Sequence, residues 1–561
     1  MSSGRTKRRI VILGGGTAGA SAVALLQEKL SHLAEIVLID SAEFAPVGVG
    51  EATVGNISSF LETCGLNPIH VCLGNSEGTI KNSVHLKDWY KKGHSYFTPI
   101  GLMGMEYHDY IKYGRPETEY WDSWTGLRLG LGGKSPYLDP NHPHSKIIPS
   151  IWPEYAYNID ATAFARTLLE SAVSKGAVHI RKTIREVVPA NDDAVSHLIL
   201  EDGEKIEADF FIDCSGFGSL ISTALNRKMT RFEQIPNDRA WATRIPYVDR
   251  NRELPYLANV ESQTMTAGWR WQIGLRDRIG TGYVFSSSHQ SEDDGFDEFQ
   301  RSFAEGRIDR DDCQLIKFET ACHQRQAGAN WITCGLSAGF VEPLESTSIF
   351  FMHNNLVAFL ALARQGQLPA DAQMFSISDW DSALDSDNLG GWFNWGPKNI
   401  ELYNAYTYRT FQTTVDYIAA HYALSTLDHS DYWNDWRKHR EHYLGVVSDV
   451  LAYSNETLFF SRPAYSMLSV GNQLGKIENW DLSRLSVLPR QMSRMNSGGF
   501  SSAREVLEDQ TPAERLVDER EYLGLQQHRS YMVDLFAENA LDLIDQHQVL
   551  ADIDRQSPGD W

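Results

Sequence analysis

The sequence predicts a mixed α/β fold: a β-α-β module at the N-terminus, an inserted β-sheet in the middle and a mainly helical part after it. Three observations carry this reading. Residues 9–13 form a short apolar run that reads as a buried strand, 17–30 an Ala- and Leu-rich helix, and 35–40 a second strand. From about 177 to 211, and again from about 236 to 290, short alternating stretches indicate further strands, the first group reading as a meander. Beyond about residue 372 the pattern turns helical, with long aromatic-studded segments at 398–421 and 430–458.

The first strand and helix are joined by Gly14-Gly15-Gly16-Thr17-Ala18-Gly19, which has the spacing GxGxxG and makes the module Rossmann-like. Gly14 permits the tight turn, Gly16 lets the backbone approach a pyrophosphate, and Gly19 lets helix and strand pack closely. Thr17 and Ala18 open the helix, where free N–H groups and the positive dipole end receive phosphate. Asp40 ends the second strand, where an acid accepts hydrogen bonds from a ribose hydroxyl. This pattern does not separate NAD from FAD. FAD is favoured because a second glycine fingerprint is lacking, while Asp213-Cys214-Ser215-Gly216 and Gly335-Leu336-Ser337-Ala338-Gly339 look like later turns along one flavin. A glycine turn that serves structure alone is the bland alternative.

At 561 residues the chain is long enough for several domains or one large body. The expected division is 1–371 (with a pocket-walling insertion at about 92–157 and the β-rich section at 236–290), 372–500, and a charged amphipathic extension, 501–561. In that extension Leu516, Leu523, Leu525, Met532, Leu535, Leu541 and Ile544 stand among acids. A net charge of −22 opposes binding to phosphate backbones, so nucleic acid is not an expected partner. The six cysteines are scattered without CxxC or zinc-like spacing, which fits free thiols in a reducing compartment and no metal site. Arg5, Lys7, Arg8 and Arg9 before an apolar run imitate a secretory signal, but the glycines at 14, 15, 16 and 19 would break its helix. The expectation is a cytoplasmic protein with no membrane span.

Three further motifs are Val49-Gly50-Glu51-Ala52-Thr53, Trp269-x-Trp271-x-Ile273 and Phe340-Val341-Glu342-Pro343-Leu344-Glu345-Ser346-Thr347. With the glycine turns, and in this order, they resemble the flavin-dependent halogenases, in particular the tryptophan-halogenase branch, from about residue 8 to about 475. The resemblance implies a reduced FAD delivered by a separate NAD(P)H-dependent flavin reductase. Oxygen would add to give a C4a-hydroperoxide, and chloride or bromide would attack it to give hypohalous acid. That acid would then pass through a tunnel to a small aromatic substrate. A homodimer is compatible with it.

Residue by residue, the resemblance assigns FAD contacts also to Glu51, Ala52, Thr53, Val188, Asp213, Gly335, Leu336 and Gly339. Lys81, in Thr79-Ile80-Lys81-Asn82-Ser83, matches the catalytic lysine, able to hydrogen-bond hypohalous acid or, once deprotonated, to form a haloamine. Taken alone Lys81 would read as a solvated surface lysine. Glu345 matches the second catalytic residue, a proton acceptor or an orienter of the oxidant, with Glu342 as competitor; an acid at a helix start is the plain reading of either.

Thr347 and Ser348 align with the backbone amides that cradle the halide, Ser348 standing where the family has glycine. Trp269 and Trp271 are expected beside the flavin on one strand face, with Gly274 where proline is usual. The expected substrate pocket comprises Thr98, Pro99, Ile100, Glu345, Ser346 and Tyr465; Thr98-Pro99-Ile100 replaces a His-Pro-Phe element and Tyr465 a tryptophan. Each lost aromatic pair removes about 0.5–1.5 kcal/mol of stacking, which points to a wider pocket for indoles, phenols or larger aromatic natural products. Two other functions stay open: an aromatic hydroxylase, and a non-catalytic flavin-binding sensor.

Overall fold

The computed structural model describes residues 7–41, 49–100, 155–304, 306–365, 394–453 and 462–474, with short pieces between 116 and 138 and at 543–545. Strand β1 (Arg8–Leu13), helix α1 (Thr17–Leu30) and strand β2 (Ala34–Asp40) form the expected unit. β1 and β2 pair in parallel at the centre of a six-stranded sheet, flanked by Val178–Arg181 on one side and by Phe210–Asp213, Trp331–Thr333 and Ala327–Gly328 on the other. Both faces are covered, which is why these strands read as continuous apolar runs. Ile10, Ile12, Ile36 and Leu38 face α1 and the helices Ala161–Ser174 and Thr347–Gln365, whereas Val11, Leu13, Val37 and Ile39 face an antiparallel sheet built from 184–207.

The 177–211 stretch is therefore not a single meander. Val178–Arg181 and Phe210–Asp213 join the parallel sheet, and only the three strands between them form the antiparallel cover. Phe210 through Asp213 are all buried, as a central parallel strand requires, while Ile184–Asn191 leaves one face in water.

The section 236–290 forms most of a seven-stranded sheet, ordered Gln314–Lys317, Arg239–Pro246, Arg278–Phe285, Gly268–Gly274, Asn259–Met265, Ser83–Lys87 and Ser95–Pro99. Its inner face meets the helical part in a second core containing Trp89, Tyr96, Trp269, Phe411, Tyr417 and Trp433. Helix Pro397–Ala423 runs through both cores, with Ile400 and Tyr403 in the first and Phe411 to Ala423 in the second. Residues from 397 on thus share cores with strands and helices from before 365. The predicted helix 430–458 is two helices, Asp431–Arg437 and Arg440–Tyr453; residues 454–458 lie outside the described residues.

Within the 92–157 insertion, Lys134–Leu138 pairs with Leu543–Asp545 of the C-terminal extension. Residues 101–115 and 139–154, Arg5, and the rest of 501–561 with the apolar residues named there, save Ile544, lie outside the described residues. No helix among the described residues is long and apolar enough to cross a membrane.

Candidate active site

The glycine turn has the geometry a dinucleotide needs. Gly14 has φ +100°, and a Cβ there would lie 2.4 Å from the Cys214 carbonyl oxygen, so the turn is pressed against the Asp213-Cys214 turn of the neighbouring strand. A Cβ on Gly19 would lie 1.8 Å from the Gly14 oxygen, the close helix–strand approach expected of that position. Gly16 is different: nothing lies within 4 Å of its Cβ position, and no side chain caps α1 behind it. The open cradle and uncapped N–H groups fit a pyrophosphate at Gly16, Thr17 and Ala18. Asp40 reaches back over Gly15, whose Cβ would meet its Oδ2 at 2.2 Å, and its Oδ1 is held 2.7 Å from His179 Nε2.

Gly335 brings the third turn onto α1, its Cβ position 2.7 Å from the Ala18 methyl, and a Cβ on Gly339 would stand 2.4 Å from Cys322 Cβ. Leu336 lies in the same short 3-10 turn, Gly335–Ser337. Asp213 is fully buried and its carboxylate accepts hydrogen bonds from Ser215 N, Ser215 Oγ and Ile221 N, so its oxygens shape the turn. Burial raises its pKa and those three bonds lower it, burial being the larger effect. Val188 pairs with His197 in the antiparallel cover.

Lys81 ends the strand Thr79–Lys81, paired with Ala156–Ile159, and the chain then changes sheets at Asn82 to run as Ser83–Lys87. At this seam Lys81 is fully buried, not solvated. Its Nζ donates to the Thr53 carbonyl (2.9 Å) and to Ser346 Oγ (2.7 Å), joining the Val49–Thr53 motif to the 340–347 motif. Thr53 is itself fixed by reciprocal bonds with Tyr157, its N–H and hydroxyl donating to the Tyr157 oxygen and its Oγ1 accepting from Tyr157 N. Burial pulls the Lys81 ammonium from 10.5 down to about 7, against the opposing field of Glu345. Glu51 and Ala52 form a two-residue strand beside Ile159 and Asn158, and burial pushes Glu51 up to about 7.

Glu345 and Ser346 lie in a turn closed by Ser346 N to the Pro343 oxygen (3.0 Å). Ser346 takes φ +59°, a left-handed conformation uncommon outside glycine, and this aims its hydroxyl at Lys81. Glu345 is buried; its Oε1 accepts from Thr98 Oγ1 at 3.1 Å and stands 3.0 Å from His421 Nε2, an approach without hydrogen-bond alignment. Glu342 has another environment: Asn237, Trp269 and Tyr422 all donate to it. Burial raises its pKa to about 7, while these bonds and the field of His421 pull it down. With its oxygens so occupied Glu342 is a keystone between the loop and the second core, and Glu345 is the carboxylate beside Lys81.

Thr347 opens helix Thr347–Gln365, so Thr347 and Ser348 carry the free N–H groups of its first turn. Thr347 Oγ1 is buried and finds no hydrogen-bond partner among the described residues, which fits a small anion there. Trp269 and Trp271 share a face of Gly268–Gly274 with ring centroids 6.1 Å apart; Trp269 donates to Glu342 and Trp271 lies over Gly282. At Gly274 a Cβ would lie 2.9 Å from Leu257 Cβ, so the residue there must be small.

Of the expected pocket residues, Thr98 touches Glu345, Pro99 is buried opposite Ser83, and Ile100 continues the strand by donating its N–H to the Asn82 oxygen. Tyr465 stands one layer back: its ring is 5.0 Å from Tyr417, which is 4.8 Å from His421. His421, Tyr417, Asn237 and His179 have no motif around them; only the aromatic density of 398–421 hinted at the first two.

A dinucleotide cradle, two later turns and a buried Lys–Glu pair across a shared loop define a flavin-binding oxidoreductase with its own chemical compartment. A sequence profile described as tryptophan halogenase matches residues 9–378. The chain belongs to the tryptophan halogenase family and is a flavin-dependent halogenase. Among its relatives, tryptophan 7-halogenase RebH of Lentzea aerocolonigenes is 30% identical over 366 residues, 62% of this chain and 68% of that protein. The 7-chloro-L-tryptophan 6-halogenase KtzR of Kutzneria sp. (strain 744) is 26% identical over 456 residues, 76% of this chain and 81% of that protein. Among solved structures, BrvH, a flavin-dependent halogenase from Brevundimonas sp. BAL3, superposes with a TM-score of 0.73 at 25% identity, covering 97% of this chain and 99% of its own.

Proposed function

We propose that this halogenase acts on an electron-rich aromatic, an indole, a phenol or a larger aromatic natural product, with Lys81 holding hypohalous acid and Glu345 taking the ring proton. The observation that carries the reading is the meeting of Lys81 with the Glu345-Ser346 turn, 265 residues away in the chain, inside the protein. Bound as FADH2 supplied by a separate NAD(P)H-dependent reductase, the flavin would furnish hypohalous acid from oxygen and chloride or bromide. Gly14, Gly16, Thr17, Ala18, Asp40 and the turns at 213–216 and 335–339 would hold it, and the amides of Thr347 and Ser348 the halide.

A buried ammonium whose pKa lies near 7 can both hydrogen-bond the oxygen of hypohalous acid and release a proton to it. The ring carbon then bonds the halogen as the oxygen–halogen bond breaks, and the oxygen leaves as water with the Lys81 proton. Loss of the ring proton to Glu345 restores aromaticity. Return of that proton to Lys81 balances the cycle: arene and hypohalous acid give haloarene and water. Thr98 and Ile100 in place of two rings favour a substrate broader than free tryptophan.

The test is turnover of a panel of indoles, phenols and free L-tryptophan with an external reductase and both halides in competition, products read by mass spectrometry. Halogenation across several ring systems is expected. Exclusive turnover of L-tryptophan would reject the wide pocket, and hydroxylated product without halogenated product would reject the chemistry.

A further inference from the structure

We infer that His421 is a positioning residue for the halogenation step: as an imidazolium it pins one oxygen of Glu345, so that the other faces the substrate as a carboxylate. The inference rests on the reading of Glu345 as proton acceptor. His421 is fully buried in the last turn of helix Pro397–Ala423. Its Nδ1 lies 3.0 Å from the Tyr417 carbonyl oxygen, and because a carbonyl only accepts, Nδ1 carries a hydrogen.

The other nitrogen, Nε2, is 3.0 Å from Glu345 Oε1. A protonated ring sets a positive charge 3.0 Å from Glu345 Oε1 inside the protein, an ion pair that a neutral ring cannot make. Thr98 Oγ1 donates to the same oxygen at 3.1 Å. Two groups on Oε1 leave Oε2, which has no hydrogen bond among the described residues, to meet the substrate.

The other groups facing His421 do not compete for this role. Glu342 lies within its field but already accepts from Asn237, Trp269 and Tyr422. Tyr417, on the same helix, contacts the ring edge-on at 4.8 Å, and Trp89 presents an uncharged edge at 6.1 Å.

The experiment compares wild type, His421→Phe and His421→Gln over pH 5–9 with external reductase, bromide and indole. With Lys81 and Thr98 still beside Glu345 but the imidazolium gone, the acid limb of kcat in His421→Phe should move to higher pH and kcat should fall about 100-fold. KM for indole, and hypobromous acid trapped by a 1,3-diketone when indole is absent, should stay at wild-type levels. His421→Gln, whose amide can still donate to Oε1, should recover part of kcat but not the position of the limb. A variant that keeps the wild-type kcat and limb overturns the inference, as does loss of hypobromous acid in parallel with kcat.

Independently of turnover, ¹⁵N-histidine spectra of the flavin-free protein should show the His421 titration midpoint falling in Glu345→Gln, which removes the charge at 3.0 Å. An unmoved midpoint also overturns it, and this arm with His421→Gln decides the matter should His421→Phe not fold. Glu345→Gln with wild-type halogenation would instead sink the parent reading. Glu345→Gln inactive beside an unaffected His421→Phe would sink the His421 proposal alone.

Discussion

The cofactor cradle and the chemical compartment of this halogenase are built by opposite means. In the proposed cradle, Gly14, Gly16 and Gly19 are placed by the local path of β1 and α1, Gly14 and Gly19 by close backbone approach and Gly16 with open space at its Cβ position. In the compartment, Lys81 meets Ser346 across 265 residues and Thr98 meets Glu345 across 247, and Lys81, Glu345 and Ser346 are side chains taken out of water. A phosphate can be held by N–H groups that any sequence with the right turn provides. Moving a halogen and a proton needs ionisable groups whose pKa values are set by burial and neighbours, and only distant segments packed together supply both.

If the two regions are separable, each should fail without the other. Lys81→Ala should reduce halogenated product about 1,000-fold while leaving FAD affinity within a few-fold, measured by coupled turnover and by flavin titration. Equal loss of both would merge the regions. Gly16→Val should do the reverse: it fills open space, so thermal stability should hardly change, while FAD affinity falls about tenfold or more as the pyrophosphate loses its cradle. Retained affinity in that variant would move the cradle elsewhere.

The burial of Lys81 also has a cost that can be read without flavin or substrate. Its folded pKa of about 7 lies below the 10.5 of the unfolded chain, so between those values the unfolded state binds more protons. The penalty is therefore greatest below about pH 7 and is relieved as pH rises toward the unfolded value. Measured by denaturant unfolding, wild type should gain on Lys81→Met by up to about 1.4 kcal/mol per pH unit in that window. Parallel stability curves would mean that the lysine is hydrated. The smallest effect is expected of Ser348→Gly, which restores the family residue at the helix start: a few-fold change in the bromide-to-chloride product ratio, with kcat otherwise kept.

The cradle was legible in the chain because spacing alone encodes it. GxGxxG between an apolar run and an Ala-rich helix, followed by an acid at Asp40, is a local signal, and the strand, helix and strand stand within a residue of their expected ends. The split of 177–211 between two sheets was not legible, since alternation does not say which sheet a strand joins. Nor were the short strands around Lys81, which contain too few residues to show a period. Tyr465 was matched by its place in the helical part, but the folding of that part puts Tyr417 and His421 in front of it. Glu342 and Glu345, alike in sequence, part company only when one meets Asn237, Trp269 and Tyr422 and the other meets Thr98 and His421.

The sequence by itself determined the class of fold and the family and singled out the glycine turns, Lys81 and Glu345 as candidates, because these rest on local geometry and on residue types at given spacings. The tertiary structure alone decided which carboxylate is free to act, why Lys81 titrates near neutrality, and that a histidine from the far helix stands against Glu345. Those properties depend on desolvation and on distances of about 3 Å between segments far apart in the chain, and no local pattern records either.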